Sequence, residues 1–174
     1  ITNASGVQLS KYTYGIGKAG ERTSVTEINS GVETDITYKY DKLNRLTKET
    51  IERGENSLTY EYSYDAVSNR TEKKVTVKGD LSELADTDIE EVELTEGTTT
   101  YKYNALNQLI TEVTPDGTKI YAYDDNGNLV KQTGDKTVDY SYDKENHLVK
   151  ATIQKGNSVT IESYTYDYAG NRLS

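Results

Sequence analysis

Apolar and polar residues alternate along most of this chain with a period of two. Leu58, Tyr60, Tyr62 and Tyr64 form one such row, with polar residues at the positions between them, and residues 138–142 repeat the pattern. A period of two is typical of a β-strand that buries one face. No stretch keeps the period of a helix, so the pattern predicts an all-β protein.

Fourteen of the 16 tyrosines lie in a recurring frame, Tyr-x-Tyr-[Asp/Asn]. We call its members the first tyrosine, the second tyrosine and the turn acid. The six complete copies are Tyr38, Tyr40 and Asp41; Tyr62, Tyr64 and Asp65; Tyr101, Tyr103 and Asn104; Tyr121, Tyr123 and Asp124; Tyr140, Tyr142 and Asp143; and Tyr164, Tyr166 and Asp167. A degenerate copy occupies residues 12–15, where Gly15 replaces the acid. Most second tyrosines lie 19 to 26 residues apart, a spacing that indicates stacked supersecondary repeats.

The residues after each turn acid predict a hairpin turn. Three residues later comes one that tolerates a positive φ, which is Asn44, Ser68, Asn107, Gly127, Asn146 or Gly170. Five residues later comes Leu, or Arg in two copies. This order favours a three-residue loop with a type I turn and a bulge at its end, capped by the acid. We therefore predict turns at 41–45, 65–69, 104–108, 124–128, 143–147 and 167–171, with return turns at 53–56, 114–117, 133–136 and 155–158.

These hairpins together predict an array of consecutive antiparallel β-hairpins, stacked side by side into a curved, spiralling sheet. The two tyrosines of a copy share one face of their strand, because residues i and i+2 point the same way. We expect Tyr40, Tyr64, Tyr103, Tyr123, Tyr142 and Tyr166 to form a ladder that is largely buried. Replacing Tyr123 by Ala would then cost roughly 3–5 kcal/mol, as for other buried aromatic residues.

Composition narrows the choice of partners. The net charge is −9, which opposes nucleic acid and anionic membranes as partners, and no apolar run is long enough to insert into a membrane. The chain has no cysteine, so disulfides and zinc-thiolate sites are excluded.

Residues 79–97 interrupt the spacing of the frame and are rich in Asp and Glu. We interpret them as an acidic insertion, partly a solvated loop and partly an edge strand around residues 89–94.

Candidate catalytic and ligand-binding residues are few. His147 is the only histidine and occupies a turn position of the repeat, so it offers no acid-base constellation and we predict no enzymatic activity and no cofactor. The segment from Asp124 to Asn128 resembles part of a calcium loop, but Thr133 stands where the bidentate acid belongs. The acidic insertion offers more carboxylates, and whether it binds calcium stays open. No metal site is predicted.

The frame Tyr-x-Tyr-Asp-x-x-Gly-[Arg/Asn]-Leu closely resembles the YD-repeat, or Rhs-repeat, family. The copies at 121–129 and 164–173 are the most similar, those at 38–46, 101–109 and 140–148 carry Asn in place of Gly, and the copy at 62–70 lacks the final Leu. Bacterial Rhs polymorphic toxins, wall-associated proteins, shell components of toxin complexes and teneurins belong to this family. The resemblance implies long hairpins in a spiralling sheet that closes into a hollow shell, which in the bacterial toxins encloses a C-terminal payload.

These features lead to one leading hypothesis and one alternative. The leading hypothesis makes 1–174 a single repeat array, cut from a longer secreted or wall-associated protein, that builds a shell around a toxin or effector. Its partners would be neighbouring repeats and the payload. The alternative is a cell-surface adhesion array that binds glycans through its tyrosine rows. Strand edges near residues 7–15 and 157–168 are expected to pair with other copies of the chain.

Overall fold

The computed structural model describes residues 10–84 and 95–173, and the chain divides into two compact units, 1–99 and 100–174. The first unit contains β1 (Ser10–Ile16), β2 (Arg22–Asn29), β3 (Val32–Tyr40), β4 (Leu46–Arg53), β5 (Asn56–Tyr64), β6 (Arg70–Lys78) and a 3-10 helix (Leu81–Leu84). β7 (Gly97–Tyr103) spans the division. The second unit continues with β8 (Leu109–Thr114), β9 (Gly117–Tyr123), β10 (Leu129–Thr133), β11 (Thr137–Tyr142), β12 (Leu148–Lys155) and β13 (Ser158–Ser163).

The predicted all-β architecture of consecutive hairpins is confirmed. In the first unit, β1 to β6 pair in sequence order, and every pair is antiparallel. In the second unit, β7 to β13 pair in the same way. Antiparallel neighbours need only a short turn between them, which is what the closely spaced turn residues of the sequence supply.

All six predicted repeat turns are present. In each, the N–H of the turn acid donates to the carbonyl four residues ahead, and the N–H three residues ahead donates back to the acid's carbonyl, as in the 3.0 and 3.1 Å bonds of the turn at Asp41. The residue three positions after the acid has a positive φ in every copy, including Ser68 at 74°. We call it the αL residue. The four predicted return turns are also found, and a further turn, which was not predicted, joins β2 and β3 at Ser30 and Gly31.

A second bulge, beyond the one expected at the αL residue, follows five of the six repeat turns and was not predicted. Tyr40 pairs with Leu46, but Tyr38 pairs with Glu49, so the second strand contains one extra residue between the two pairs. Residues directly opposite each other share a face. The extra residue therefore places Leu46 and Glu49, three positions apart, on the same face as the two tyrosines.

The degenerate copy lies two residues further along the chain than the frame at 12–15 indicated. Its turn runs from Gly17 to Glu21, where the N–H of Gly17 donates to the Glu21 carbonyl over 2.8 Å. Ile16 pairs with Arg22 and so takes the place of the second tyrosine, while Tyr14 takes the place of the first. Gly17 has no side chain to cap the turn, and the Glu21 carboxylate accepts the N–H of Ala19 instead.

The core of the first unit is one layer of side chains on the tyrosine-bearing face. Val25, Ile51, Leu58 and Val75 are buried there. Leu84 of the 3-10 helix, only 1% exposed, packs over Ile51, Leu58 and Val75 from outside the sheet. The opposite face carries a cross-strand row of hydroxyl side chains, in which neighbouring residues pair directly: Ser24, Thr37, Thr50, Thr59 and Thr76.

Several expectations fall outside the described residues. The acidic insertion is described only at 79–84 and 95–97, so the edge strand at 89–94 and most of the carboxylates that could hold calcium lie outside. Residues 7–9 of the first predicted edge do so as well. The remainder of both predicted edges is described: β1 pairs with β2 and β13 pairs with β12, and all six residues of β13 are exposed. The single-array organisation of 1–174 stays a prediction.

The position of Leu84 generates a stability prediction. Leu84→Ala removes a fully buried side chain, so we expect a loss of about 2–5 kcal/mol in the free energy of unfolding. Leu106→Ala is the matched control, because Leu106 is 76% exposed and the same change there should cost under about 0.5 kcal/mol. Urea unfolding followed by circular dichroism measures both. Equal midpoints for the two variants would mean that Leu84 does not contribute to the core.

Candidate functional site: the repeat turns

Each repeat turn is closed by the side chain of its acid. In the turn that begins at Asp124, Oδ1 accepts the N–H of Asn126 at 3.0 Å and that of Asn128 at 2.8 Å, while Oδ2 accepts the side-chain amide of Asn128 at 3.0 Å. The other turns repeat the pair of backbone bonds to Oδ1. Asn104 does the same with an amide, so the turn geometry accepts either side chain. We call the residue four positions after the acid the linking residue.

These bonds favour the ionised form of the acid. The Asn128 amide and the backbone N–H groups of Asn126 and Asn128 lower the pKa of the Asp124 carboxyl below its ordinary value. Asp167 has a lowered pKa because of the equivalent bonds from Asn171, and the pKa of Asp143 is lowered first by the backbone N–H of His147. The turns are thus stabilised most when these carboxyls are deprotonated.

The linking residue also reaches the next repeat turn. Arg45 donates from Nη1 to the Asp65 carbonyl at 2.9 Å and to Ser68 Oγ at 3.1 Å. In the second unit, Asn128 donates to Asn146 Oδ1 at 2.8 Å. Neighbouring turns within a unit are therefore joined by side-chain bonds as well as by the strands that carry them.

The second tyrosines form a second set of links. The hydroxyl of Tyr64 donates to the Leu46 carbonyl at 2.7 Å, and Tyr123 reaches the Leu109 carbonyl at 2.9 Å. Tyr142 and Tyr166 make the equivalent bonds to Leu129 and Leu148, and Tyr40 donates to the Arg22 carbonyl. In each case the donor belongs to one repeat and the acceptor to the repeat before it. We call this bond the tyrosine clamp.

The clamp lies where strand pairing between repeats stops. The described register of β4 and β5 ends at the pair Lys48 and Glu61, two residues beyond Leu46. The Leu46 carbonyl faces the β5 side of β4 and therefore has no partner in the backbone of β5. A backbone carbonyl without a hydrogen-bond donor is costly when water is excluded. The tyrosine hydroxyl supplies the missing donor.

The ladder of second tyrosines differs from the one expected. Their side chains are half-buried rather than largely buried, and the described ring contacts are not between second tyrosines. Instead, the linking residue of one repeat covers the second tyrosine of the next. The Arg45 guanidinium lies 4.8 Å from the ring centre of Tyr64, and the His147 ring stacks on Tyr166 at 4.6 Å. In these two pairs a turn side chain, and not another tyrosine, covers the second tyrosine.

Two acidic residues at one repeat position, Glu49 and Glu112, lie beside tyrosines on this face. Tyr121 donates to Glu112 Oε2 at 2.9 Å. Glu49 occupies the same repeat position and pairs across strands with Tyr38 and Tyr60, and its burial raises the pKa of its carboxyl. Burial and the nearby Glu49 together raise the pKa of Tyr62 to about 12.

Arginine in place of the repeat leucine has a structural role that the sequence did not reveal. Arg70 lies over the ring of Tyr62 at 5.6 Å, and Arg172 lies over that of Tyr164 at 5.4 Å. Arg22 makes the same contact with Tyr14 at 4.9 Å. In each pair the guanidinium covers the first tyrosine of its own hairpin, so a cation–π contact replaces the leucine.

One group of potential metal ligands occurs among the described residues. Single ligand atoms of Asp143, Glu145 and His147 lie within 4.8 Å of one another. His147 Nδ1 lies 3.0 Å from Asp143 Oδ2, the same bond that Asn128 and Asn171 make in their turns. The group is therefore explained by turn closure. The carboxylate of Asp124, the start of the segment that resembles a calcium loop, is likewise engaged with its own turn.

Comparisons with known proteins place the chain beside toxin-complex structures. No family model and no curated protein matches it. The crystal structures of TcdB2-TccC3-Cdc42 and of TcdB2-TccC3 without its hypervariable C-terminal region are similar, with 15% and 16% identity over 97% and 98% of this chain and a TM-score of 0.39 for each. TcdB2-TccC3-TEV is 14% identical over 97%, with a TM-score of 0.33.

The matched structures are much longer than this chain. The chain spans only about a tenth of their length, 10% to 12%. With TM-scores below 0.5, the description of the fold stands on the strand pairing of this chain alone. Among the described residues, no helix has the length and apolar character that crossing a membrane requires.

The tyrosine clamp generates a prediction at Tyr123. Tyr123→Phe keeps the ring and removes the hydroxyl that binds Leu109, so we expect a loss of about 0.5–1.5 kcal/mol in unfolding free energy. Tyr123→Ala removes the ring as well, and because the ring is half-buried its cost should stay below the roughly 3–5 kcal/mol of a fully buried aromatic. Urea denaturation measures both. A Phe variant as stable as the parent chain would contradict the clamp.

The lowered pKa of Asp124 generates a prediction about pH. A carboxyl whose folded-state pKa is lowered stabilises the fold above its unfolded pKa of about 3.9, and this stabilisation is lost as pH falls through the folded value. Asp124→Asn should keep the turn, as Asn104 does, but lose this pH dependence. The difference in unfolding free energy between the parent and the variant should therefore be smaller at pH 3 than at pH 6. If the parent and the variant differed by the same unfolding free energy at both pH values, the charge of Asp124 would have no role in stability.

Proposed function

We propose that this chain is a non-enzymatic wall segment of a YD-repeat shell, which in its parent protein encloses a C-terminal toxin or effector. The YD-repeat frame supports this proposal, and so does the way in which the repeats are joined. Two described side chains that the sequence offered for chemistry, His147 and Asp124, are engaged in closing or linking turns. The chain's partners are its neighbouring repeats and the payload, and its location is extracellular.

The tyrosine clamp is the observation that carries the proposal. Three repeats, those of Tyr40, Tyr123 and Tyr142, show both sides of this bond: a second tyrosine that donates to the preceding repeat and a carbonyl after the turn that accepts from the next one. Tyr142, for example, donates to Leu129, while the carbonyl of Leu148 after the same turn accepts from Tyr166. An array with such a joint grows by adding identical units, as repeat proteins do. A wall of large area needs this kind of extension.

Protease protection in the parent protein tests the enclosure. The segment that follows the repeats should resist a protease that digests the same segment when it is expressed alone. Replacing Tyr123, Tyr142 and Tyr166 together by Phe weakens three clamps and should increase cleavage of the enclosed segment. If the segment is cut equally fast inside the parent protein and alone, enclosure is wrong.

Strand edges generate a further prediction, about self-association of the chain 1–174. The edge strand β13 exposes Val159 and Ile161, at 59% and 58%, on a strand that pairs on one side with β12. An exposed apolar edge favours pairing with a second copy. Light scattering should show concentration-dependent association, and Ile161→Lys should reduce it. A monomer at high concentration would contradict edge pairing.

The adhesion alternative requires tyrosine faces that are free to stack on sugars. The rings of Tyr64 and Tyr166 are covered by Arg45 and His147, which disfavours them as platforms. Tyr12 and Tyr14 are more exposed, at 47% and 51%. Glycan-array binding that is lost on Tyr12→Ala would support adhesion, whereas no binding would leave the wall as the function.

A further inference from the structure

Neighbouring repeat turns contact each other through a fixed pair of positions: the linking residue of one turn and the αL residue of the next. Arg45 binds Ser68 Oγ, and Asn128 binds Asn146 Oδ1. The other two described pairs oppose a larger linking side chain to glycine. Gln108 donates to the Gly127 carbonyl at 3.5 Å, and His147 lies beside Gly170.

Two of these pairs show how the αL residue complements the linking residue. A Cβ added to Gly170 would lie 3.1 Å from His147 Nε2, which is closer than side chains normally approach. His147 has little freedom to withdraw, because its Nδ1 is bonded to Asp143 and its ring is stacked on Tyr166. Where the linking residue is the short Asn128, the αL residue is instead Asn146, whose side chain fills the space and accepts a hydrogen bond.

We infer that the linking residue and the following αL residue form a recognition pair that specifies which hairpin can follow which. A positive φ alone allows Gly or Asn at the αL position. The choice between them is set by the linking residue of the preceding repeat. A hairpin with the wrong αL residue would clash with the linking residue of the preceding turn or leave an amide there without a partner. The pair therefore disfavours stacking of similar repeats in the wrong order. This inference does not depend on any enclosed payload.

A double-mutant cycle on the full chain tests the pair. Gly170→Asn introduces a side chain against His147, and His147→Asn with Gly170→Asn recreates the pair formed by Asn128 and Asn146. We expect Gly170→Asn alone to lower the amide-exchange protection of the turn 167–171 at least tenfold. The double variant should recover protection to within about threefold of the parent, and the two changes should therefore be non-additive.

Gly156→Asn is the matched control for the backbone. Gly156 also has a positive φ, 57°, but a Cβ added there meets nothing within 4 Å. This variant measures what Gly→Asn costs at such a conformation without a facing side chain, and its protection loss should be several-fold smaller than that of Gly170→Asn. Equal losses of protection from Gly156→Asn and Gly170→Asn would overturn the inference. It would also be overturned if Gly170→Asn cost as much protection in the His147→Asn variant as in the parent chain.

The reciprocal exchange covers the case in which Gly170→Asn prevents folding. Asn128→His places an imidazole against Asn146 and should destabilise the turn 143–147, whereas adding Asn146→Gly recreates the pair of His147 and Gly170. Rescue of protection by the second change supports the recognition pair. Failure of Asn146→Gly to rescue Asn128→His would contradict it.

Discussion

A backbone carbonyl that has no strand partner sets the main constraint on this fold. Within each unit, strand pairing between consecutive repeats stops two residues short of the residue that follows the turn, and the carbonyl of residues such as Leu46 or Leu129 faces a gap in the ladder. The tyrosine hydroxyl of the next repeat fills that gap. This bond explains why the second aromatic residue of the frame is tyrosine: phenylalanine would supply the same ring but no donor.

The tyrosine clamp and the bonds between repeat turns join each repeat only to its neighbours, so stability depends mainly on contacts between adjacent repeats. The core is a single layer, and the largest fully buried side chains of the described residues are Leu58, Leu84 and Thr34. A layer this thin gives limited hydrophobic stabilisation, so the links between repeats carry more of the stability than in a globular domain. The links differ in detail, with Arg45 covering one tyrosine and His147 another, but they occupy the same positions.

The repeat turns could be predicted from the sequence because their determinants are local. An acid, an αL residue three positions later and a period-two strand on each side suffice to place all six turns, even with Ser68 at the αL position. The contacts between repeats could not be predicted in the same way. The clamp joins Tyr64 to Leu46, 18 residues apart, and depends on where strand pairing ends, which no local pattern encodes. The degenerate copy was misplaced for a similar reason, because Ile16 and Gly17 fill the tyrosine and acid positions without resembling them.

The cooperativity of unfolding tests the clamp most directly. The full chain with Tyr123→Phe, Tyr142→Phe and Tyr166→Phe is compared with the parent in urea, and Tyr168→Phe is the control because Tyr168 is fully exposed. If clamps couple the repeats, removing three of them lets repeats unfold separately, so the transition broadens and the m-value falls. The control should keep the parental m-value. A triple variant with the parental midpoint and m-value would show that the hydroxyls do not join the repeats.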